Sequence, residues 1–390
     1  MISHLAIFRQ HRVSRATGIN FAAAGLILGA WAALIPFVKQ KFGLDEGQLG
    51  LFLLTMPAGV TLMNPFSVPL LHRFGAVNIT LTSLVLSTAF FALLFLVSQL
   101  WLTVALLFLA GATYSCLNVA MNTCAALLEQ HEDLRIMSAC HGLWSAGAMT
   151  GAAVTALLTG NGLSPFTCLL LLLLFELGVA LATKKPMSEV PGDLPADSRK
   201  AAEKPRSGLV MPNKPLWILI SLSLCVNITE GTMTDWSVLY MRDVVEAPQF
   251  LAGWGFSVYA FFMASGRFLG DALLSRYDSK SVLRGGGSLV LAGLLLAVLF
   301  PHPALALLGF AFVGAGVSIG SPVLYSAAAR VPGMAQGVGL ATMNTFAMIG
   351  FMGGPAMIGF IAKFFSLPTA FVVVACFSVF WIWRSGKLRE

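Results

Sequence analysis

Charged residues are scarce in this chain of 390 residues. Asp, Glu, Lys and Arg together make up 11% of the sequence, whereas about 25% is usual for a soluble domain. Hydrophobic residues make up 57%, and residues 184–214 form the one long polar segment. The composition therefore indicates a membrane protein rather than a soluble one.

Motifs for nucleotide, metal or covalent chemistry are also missing. The sequence has no GxxxxGK(S/T) loop to bind nucleotide phosphates and no polar stretch long enough for a nucleotide domain, which excludes a primary pump. Its six histidines show no HExxH spacing and its six cysteines show no CxxC spacing, so we expect no enzyme, metal site or cofactor. A membrane-embedded enzyme and a receptor-like sensor are kept as distant alternatives.

Twelve apolar stretches account for most of the chain, six on each side of the polar segment. A bilayer core about 30 Å thick requires roughly 20 apolar residues in a helix. The predicted spans are 13–38, 46–71, 78–98, 101–128, 136–159, 164–183, 215–241, 250–275, 284–300, 303–329, 337–362 and 366–383. We therefore predict an all-α polytopic membrane protein, with a six-helix bundle at 1–183, a cytoplasmic linker at 184–214 and a second six-helix bundle at 215–390.

The basic residues lie mainly on one side of the predicted spans. Of the 24 Lys and Arg residues, 19 lie on the side of the termini and the linker, and one lies within a span. Only Lys39, Lys41, Arg242 and Lys363 lie on the opposite side. Because cytoplasmic loops carry such an excess, both termini and the linker are predicted to be cytoplasmic. The net charge of +7 is then an orientation signal, and we expect no nucleic-acid partner.

The two predicted bundles carry matching residues at an offset of 203 positions. The pairs are Gly50 and Gly253, Arg73 and Arg276, Gly111 and Gly314, Gly147 and Gly350, and Gly151 and Gly354. Parallel six-helix repeats are a plan of secondary transporters, and we expect a central cavity between two pseudo-symmetric bundles. Small residues such as Gly25 and Gly29 indicate close helix packing, while Pro355 predicts a bend that is available for gating.

Four acidic residues lie within predicted spans: Glu176, Glu230, Asp235 and Asp271. An ionisable group at membrane depth is costly and by default faces a partner or a cavity, which makes each a functional candidate. At 1.5 Å per residue, Glu230 lies roughly 20 Å from the cytoplasmic side, just past the midplane. Burial there disfavours the ionised form. We predict that Glu230 binds a proton or a solute hydroxyl, with a structural hydrogen bond as the alternative.

The neighbours of these acids extend the candidate set. Asn227 shares a helical face with Glu230 and is predicted to act with it. Asp235 stands beside Trp236, an arrangement that suits solute binding but is also typical of an aromatic anchor at the membrane boundary.

A second charged group lies near the cytoplasmic end of the eighth predicted span. Arg267 and Asp271 have i, i+4 spacing and are predicted to pair with each other. Arg276 follows in the next loop, and Arg73 stands at the matching place in the first half. We interpret this group as a structural latch on the cytoplasmic side rather than a solute site.

Polar and aromatic side chains are scattered through the other spans. Asn118 and Asn122 lie on one face of the fourth span and either bond across helices or face a polar solute. His141 lies near the start of the fifth span, and we predict a gating or packing role for it. Further candidates for solute contact are Asn20, Trp31, Tyr325 and Asn344. Such a set suits a sugar-like or small amphiphilic ligand.

Several of these segments together resemble a known family. The segments are Trp31 to Pro36, 120–122, 141–145, Glu230-Gly231 with Asp235-Trp236, 266–270, and Gly354-Pro355. They resemble the YbjJ-like bacterial permeases of the major facilitator superfamily, which are distantly similar to fucose-type sugar permeases. The resemblance implies a twelve-helix carrier of the bacterial inner membrane that is coupled to protons. Many of these relatives have an acidic residue just before the pair that corresponds to Met121-Asn122, and this chain has Asn118 in its place.

We therefore predict a secondary active transporter that moves a small solute by alternating access, with H⁺ symport, and that acts as a monomer in the lipid bilayer. The predicted solute is a sugar-like polar metabolite. Export of amphiphilic drugs or toxic metabolites is the alternative, because the spans are rich in aromatic residues and methionine.

Overall fold

Helix fills almost all of the described chain, as expected for a backbone that must satisfy its own hydrogen bonds in lipid. The computed structural model describes residues 11–132, 136–190, 212–274, 276–329, 331 and 338–387, and no strand occurs among them. The helices are α1 Arg12–Phe42, α2 Glu46–Leu53 with Thr55–Phe74, α3 Ala76–Leu93, α4 Leu100–Glu132, α5 Met137–Gly160, α6 Pro165–Met187, α7 Lys214–Asp243, α8 Gln249–Ala252 with Trp254–Leu274, α9 Ser279–Leu299, α10 Pro303–Val317 with Gly320–Ala329, α11 Val338–Phe364 and α12 Leu367–Ser385.

Each predicted span coincides with one of these twelve helices, so the all-α, twelve-helix prediction is confirmed. Within the described ranges, ten helices are long and apolar enough to cross a membrane. The other two are α5, which contains His141, and α8, which contains Arg267.

The predicted spans and the helices differ most at polar ends. α9 begins at Ser279, before the predicted start at 284, because Asp278 takes the extended backbone conformation of an N-cap (φ −68°, ψ 155°). Hydropathy cannot detect a polar first turn, although such a turn continues the helix into the interface. α3 ends at Leu93, where the prediction ran to 98.

The chain divides into two compact units that do not follow the order of the sequence. The first unit is Met1–Leu34 with Thr55–Ser207, and the second is Ile35–Leu54 with Gly208–Glu390. The end of α1, the following loop and the first segment of α2 therefore belong with α7–α12. The bundles predicted at 1–183 and 215–390 did not anticipate this exchange, and residues 191–211 of the predicted linker lie outside the described residues.

In the first unit, α1 and α5 approach closely because glycines line both helices. A Cβ added at Gly29 would lie 1.9 Å from the carbonyl oxygen of Ala148, and one at Gly147 would lie 2.0 Å from that of Ala22. Helices in lipid associate through such close packing of small residues. The packing role predicted for these glycines is confirmed.

One helix contact repeats in both units. Gly111 of α4 faces the carbonyl oxygen of Met56 in α2, and Gly314 of α10 faces that of Tyr259 in α8. The oxygen would lie 2.2 Å from an added Cβ in each case. Met56 and Tyr259 are themselves 203 positions apart, so the repeat predicted from the sequence is confirmed at this contact.

Candidate functional site

α7 positions two of the acidic candidates in the second unit. The helix starts at a defined place because the Asn213 side chain accepts a hydrogen bond from the Leu216 amide at 3.1 Å and Pro215 occupies the first turn. The first-turn amides of a helix have no partner within it. The Asn213 side chain supplies an acceptor for one of them, and Pro215 has no amide hydrogen that would need one. α7 then continues unbroken for 30 residues, with Asn227 and Glu230 on one face, as predicted.

Glu230 faces Arg267 of α8. Arg267 Nη2 lies 3.7 Å from Glu230 Oε1, which is close enough for attraction between the charges but too far for a hydrogen bond. The Glu230 side chain is 19% exposed and that of Arg267 is 33% exposed. Glu230 Oε1 is buried and has no hydrogen-bond partner among the described residues. Glu230 Oε1 thus retains hydrogen-bonding capacity that no described residue uses.

Sequence reasoning missed this ion pair. It assigned Arg267 to Asp271, whose side chain lies outside the described set, and that pairing stays a prediction. A contact between α7 and α8 leaves no periodic signal in the sequence. Only the rule that a charge in a span needs a partner could have suggested it.

Two tyrosines complete the surroundings of Glu230. Tyr259 of α8 and Tyr325 of α10 both lie within electrostatic range of its carboxyl group. Tyr259 is buried and donates its hydroxyl hydrogen bond to Met263 Sδ at 3.4 Å, while Tyr325 is half-buried. Tyr325 was predicted as a solute contact, and Tyr259 was missed. A carboxylate, a guanidinium and aromatic rings together can bind a polar solute that also has an apolar face.

The other polar residues of α7 are less available. Asn227 donates from Nδ2 to the Ser223 carbonyl oxygen at 2.8 Å and to Ser223 Oγ at 3.2 Å. Asp235 is half-buried. The interpretation of Trp236 as an anchor at the membrane boundary is wrong, because its indole is only 1% exposed. The tight packing of α7 within its unit covers this side chain.

The first unit contains a separate polar cluster. Tyr114 of α4 donates to the Ala24 carbonyl oxygen at 3.3 Å and accepts from Trp144 Nε1 at 2.9 Å, which ties α4 to α1 and α5. Glu176 of α6 lies within electrostatic range of Tyr114. Glu176 is fully buried, and neither carboxyl oxygen has a hydrogen-bond partner among the described residues. No cation among the described residues forms an ion pair with it.

Two predicted solute contacts lie in the core of the first unit. Asn20 is buried and donates from Nδ2 to the Ala16 carbonyl oxygen at 2.9 Å and to Thr183 Oγ1 at 3.1 Å. Trp31 is 3% exposed, and its ring lies 5.0 Å from that of Phe91. In this structure both side chains serve packing.

Three candidates, Asn118 and Asn122 of α4 and His141 of α5, form a polar strip in the first unit. Asn118 and His141 are exposed. Asn122 donates from Nδ2 to the Asn118 carbonyl oxygen at 2.8 Å, and its Oδ1 lies 3.1 Å from His141 Nε2. The strip therefore contains a hydrogen bond between helices while Asn118 stays exposed.

The remaining predicted residues do not converge on either cluster. Arg73 and Arg276 are exposed, with Arg73 lying 5.2 Å from the centre of the Phe74 ring. Pro355 is buried within α11, and the side chain of Asn344 lies outside the described set. Throughout the described residues, no group of three or more His, Cys, Asp or Glu could hold a metal ion.

A charged cluster that sequence reasoning missed holds the loop after α1 within the second unit. Lys39 Nζ lies 2.9 Å from both Glu46 Oε1 and Asp243 Oδ2. Lys363 Nζ lies 3.1 Å from Asp45 Oδ2. The sequence reading counted these lysines only as residues on the non-cytoplasmic side, although acidic residues stand at the same span ends.

Asp45 also caps the first segment of α2. Its carboxylate accepts from the Gln48 amide at 2.8 Å, and the Asp45 amide donates to Gln48 Oε1 at 3.1 Å. The bond from the Gln48 amide, together with Lys363, holds the pKa of Asp45 below its usual value.

Known proteins with similar sequences include membrane transporters. The family model described as Major Facilitator Superfamily matches residues 16–333 and 247–387. An uncharacterized MFS-type transporter of Yersinia pestis is 32% identical over 362 residues, which covers 92% of this chain and 91% of the relative. Membrane protein MosC of Rhizobium meliloti is 29% identical over 380 residues, which covers 95% of this chain and 91% of MosC.

Solved structures share the fold. The nucleoside transporter NupG matches with a TM-score of 0.72 at 13% identity, covering 96% of this chain and 98% of NupG. A bacterial homolog of the human lysosomal transporter Spinster, in an inward-facing and occupied conformation, matches with a TM-score of 0.76 at 13% identity. That match covers 98% of this chain and 97% of the homolog.

Proposed function

The chain belongs to the major facilitator superfamily and is a multi-pass membrane transporter, and we propose that it carries a small sugar-like solute by alternating access. The transport is secondary and coupled to protons. The protein spans a bacterial inner membrane with both termini in the cytoplasm, in keeping with the positive charge on that side of the predicted spans.

The pair of Glu230 and Arg267 is the observation that carries the solute class. Buried polar atoms in proteins are nearly always hydrogen-bonded, yet Glu230 Oε1 is not. A carboxylate accepts hydrogen bonds and a guanidinium donates them, so a solute with several hydroxyl groups can satisfy both. The nearby ring of Tyr325, which is half-buried, suits the apolar face of such a solute.

The charge on Arg267 supports the solute role of Glu230, although burial of the carboxyl group opposes its ionisation. An opposite charge within about 4–6 Å favours the ionised form of a carboxyl group. An ionised carboxylate binds hydroxyls, so we assign Glu230 to the solute rather than to the proton.

Glu176 is the better candidate for the proton. A carboxylate that is fully buried without a cation or hydrogen bond is so costly that the group neutralises by taking up a proton. Glu176 has this environment, whereas Glu230 has Arg267. We propose that Glu176 carries a proton in the conformation described. Release of this proton during the transport cycle couples proton movement to solute movement.

A thermal-shift screen tests the solute class first. The purified protein is heated with a panel of monosaccharides, polyols, nucleosides and apolar cations, because a solute that binds the folded state raises the melting temperature. We expect monosaccharides or polyols to give the largest shift. A shift from nucleosides alone, or from apolar cations alone, would contradict the proposed class.

Exchange of the identified sugar or polyol in proteoliposomes then tests the site. Glu230→Gln removes the charge, and we expect exchange to fall roughly 10- to 100-fold, because a hydrogen bond to a charged group is worth about 1.5–3 kcal/mol. Asp235→Asn is the matched control, since it removes a carboxylate from the same helix. Wild-type exchange in Glu230→Gln, or an equal loss in Asp235→Asn, would remove the pair from solute binding.

A further inference from the structure

The second unit has a cavity that the proposed transport site does not use. It has a volume of about 480 Å³ and lies where the end of α8, the start of α9, the middle of α10 and the end of α12 meet. Its lining is mostly apolar side chains and glycines, including Leu273, Leu283, Leu289 and Ile319. This volume lies within the range of roughly 300–1,000 Å³ that is usual for small-molecule sites.

Four basic residues stand close in sequence to lining residues of α9 and α12, and we refer to them as the basic rim. Lys280 and Arg284 stand at the start of α9, and Arg384 and Lys387 stand at the end of α12. The basic residues of α9 and α12 approach each other, because the Arg284 guanidinium lies against Gly386, the C-cap residue of α12. Over the described residues 276–289 and 376–387 the sequence contains one acid, at the N-cap of α9.

Exposed aromatic rings flank the same end of the unit. Tyr277 is 58% exposed and Trp383 is 55% exposed, and Lys387 Nζ lies 3.7 Å from the centre of the Trp383 ring. Aromatic rings beside basic residues are typical of the level of lipid headgroups. The cavity therefore opens where apolar chains and charged headgroups meet.

We propose that this cavity binds an anionic phospholipid from the surrounding bilayer. An acyl chain occupies the apolar and glycine-lined part, and the basic rim neutralises the headgroup. Basic pockets between membrane helices bind anionic headgroups in this way. The site is independent of the Glu230 pair and holds whether or not the proposed solute class is correct.

Lipid binding to the full-length protein in detergent tests the proposal. Native mass spectrometry compares phosphatidylglycerol with phosphatidylethanolamine of identical acyl chains, and inorganic phosphate is added as a competitor. We expect phosphatidylglycerol to bind more tightly and to resist the phosphate. Equal binding of the two lipids would overturn the proposal, because it would show that the negative charge of the headgroup does not contribute to binding. Full displacement by inorganic phosphate would also overturn it, because it would show that the acyl chain does not contribute.

Charge variants locate the headgroup. The double variant Lys280→Ala with Arg284→Ala should bind phosphatidylglycerol more weakly, by roughly fivefold for each cation removed. Lys184→Ala with Lys185→Ala at the end of α6 is the matched control, because it removes two exposed lysines that belong to the other unit and do not line this cavity. An equal loss in both double variants would show that general surface charge explains the binding.

A cavity-filling variant locates the acyl chain while keeping the rim. A Cβ added at Gly285 would have no atom within 4 Å, so Gly285→Leu should fold normally and place its side chain in the lining. We expect the melting temperature in lipid-free detergent to be unchanged and the preference for phosphatidylglycerol to be lost. Unchanged lipid binding in this variant would place the lipid elsewhere.

Discussion

The helix pair α1–α5 in the first unit and its counterpart α7–α11 in the second differ in how closely they pack. An added Cβ at Gly147 would lie 2.0 Å from a backbone oxygen. At the matching Gly350 the nearest atom is Cδ2 of Leu224, at 2.6 Å, and Gly353 has no atom within 4 Å. At these glycines α1 and α5 are in backbone contact, whereas α7 and α11 meet through side chains with open space beside Gly353.

The acids of the two units differ in the same sense. Glu176 in the first unit is fully buried and forms no ion pair with a described cation, whereas Glu230 in the second unit is partly exposed and lies 3.7 Å from Arg267. Identical side chains in different surroundings take different roles. We infer that the repeat supplies a common scaffold, and that the second unit carries the charged, accessible part of the site.

The largest expected effect breaks the tight helix pair. Gly29→Ala would place a methyl group 1.9 Å from the Ala148 carbonyl oxygen, so α1 and α5 must separate, at a cost of about 1–3 kcal/mol or more. Gly353→Ala is the matched control and should be neutral or stabilising by about 0.5–1 kcal/mol, since alanine favours helix over glycine. Thermal unfolding in detergent measures both variants. Equal melting temperatures would show that the two helix pairs do not differ in packing.

A smaller effect is expected from the ion pair. Arg267→Ala leaves the Glu230 carboxylate without its cation, and the pair is partly exposed, so we expect a loss of about 1–2 kcal/mol. Adding Glu230→Gln should restore most of this loss, because the unpaired charge is then gone. If the double variant melts no higher than Arg267→Ala alone, then the two side chains do not interact in solution.

The sequence predicted those features that depend on periodicity and on the cost of burial. It located twelve helices, the repeat at Gly111 and Gly314, and Glu230 as a candidate in α7. It could not locate Arg267 beside Glu230, because the spacing of Arg267 and Asp271 suggested a local pair and a contact between helices has no sequence period. The grouping of residues 35–54 with the second unit was not predicted, because one of the two carboxylates that contact Lys39, that of Asp243, lies in a distant part of the chain.

Infrared spectroscopy of the protonated carboxyl group tests most directly whether the two acids differ in charge. Difference spectra at neutral pH compare the wild type with Glu176→Gln and with Glu230→Gln, each of which keeps the shape of the side chain. We predict that Glu176→Gln loses intensity in the C=O band of protonated carboxyl groups, whereas Glu230→Gln leaves that band unchanged. Loss of the band in Glu230→Gln with no change in Glu176→Gln would contradict the assignment of the proton to Glu176 and of the solute to Glu230.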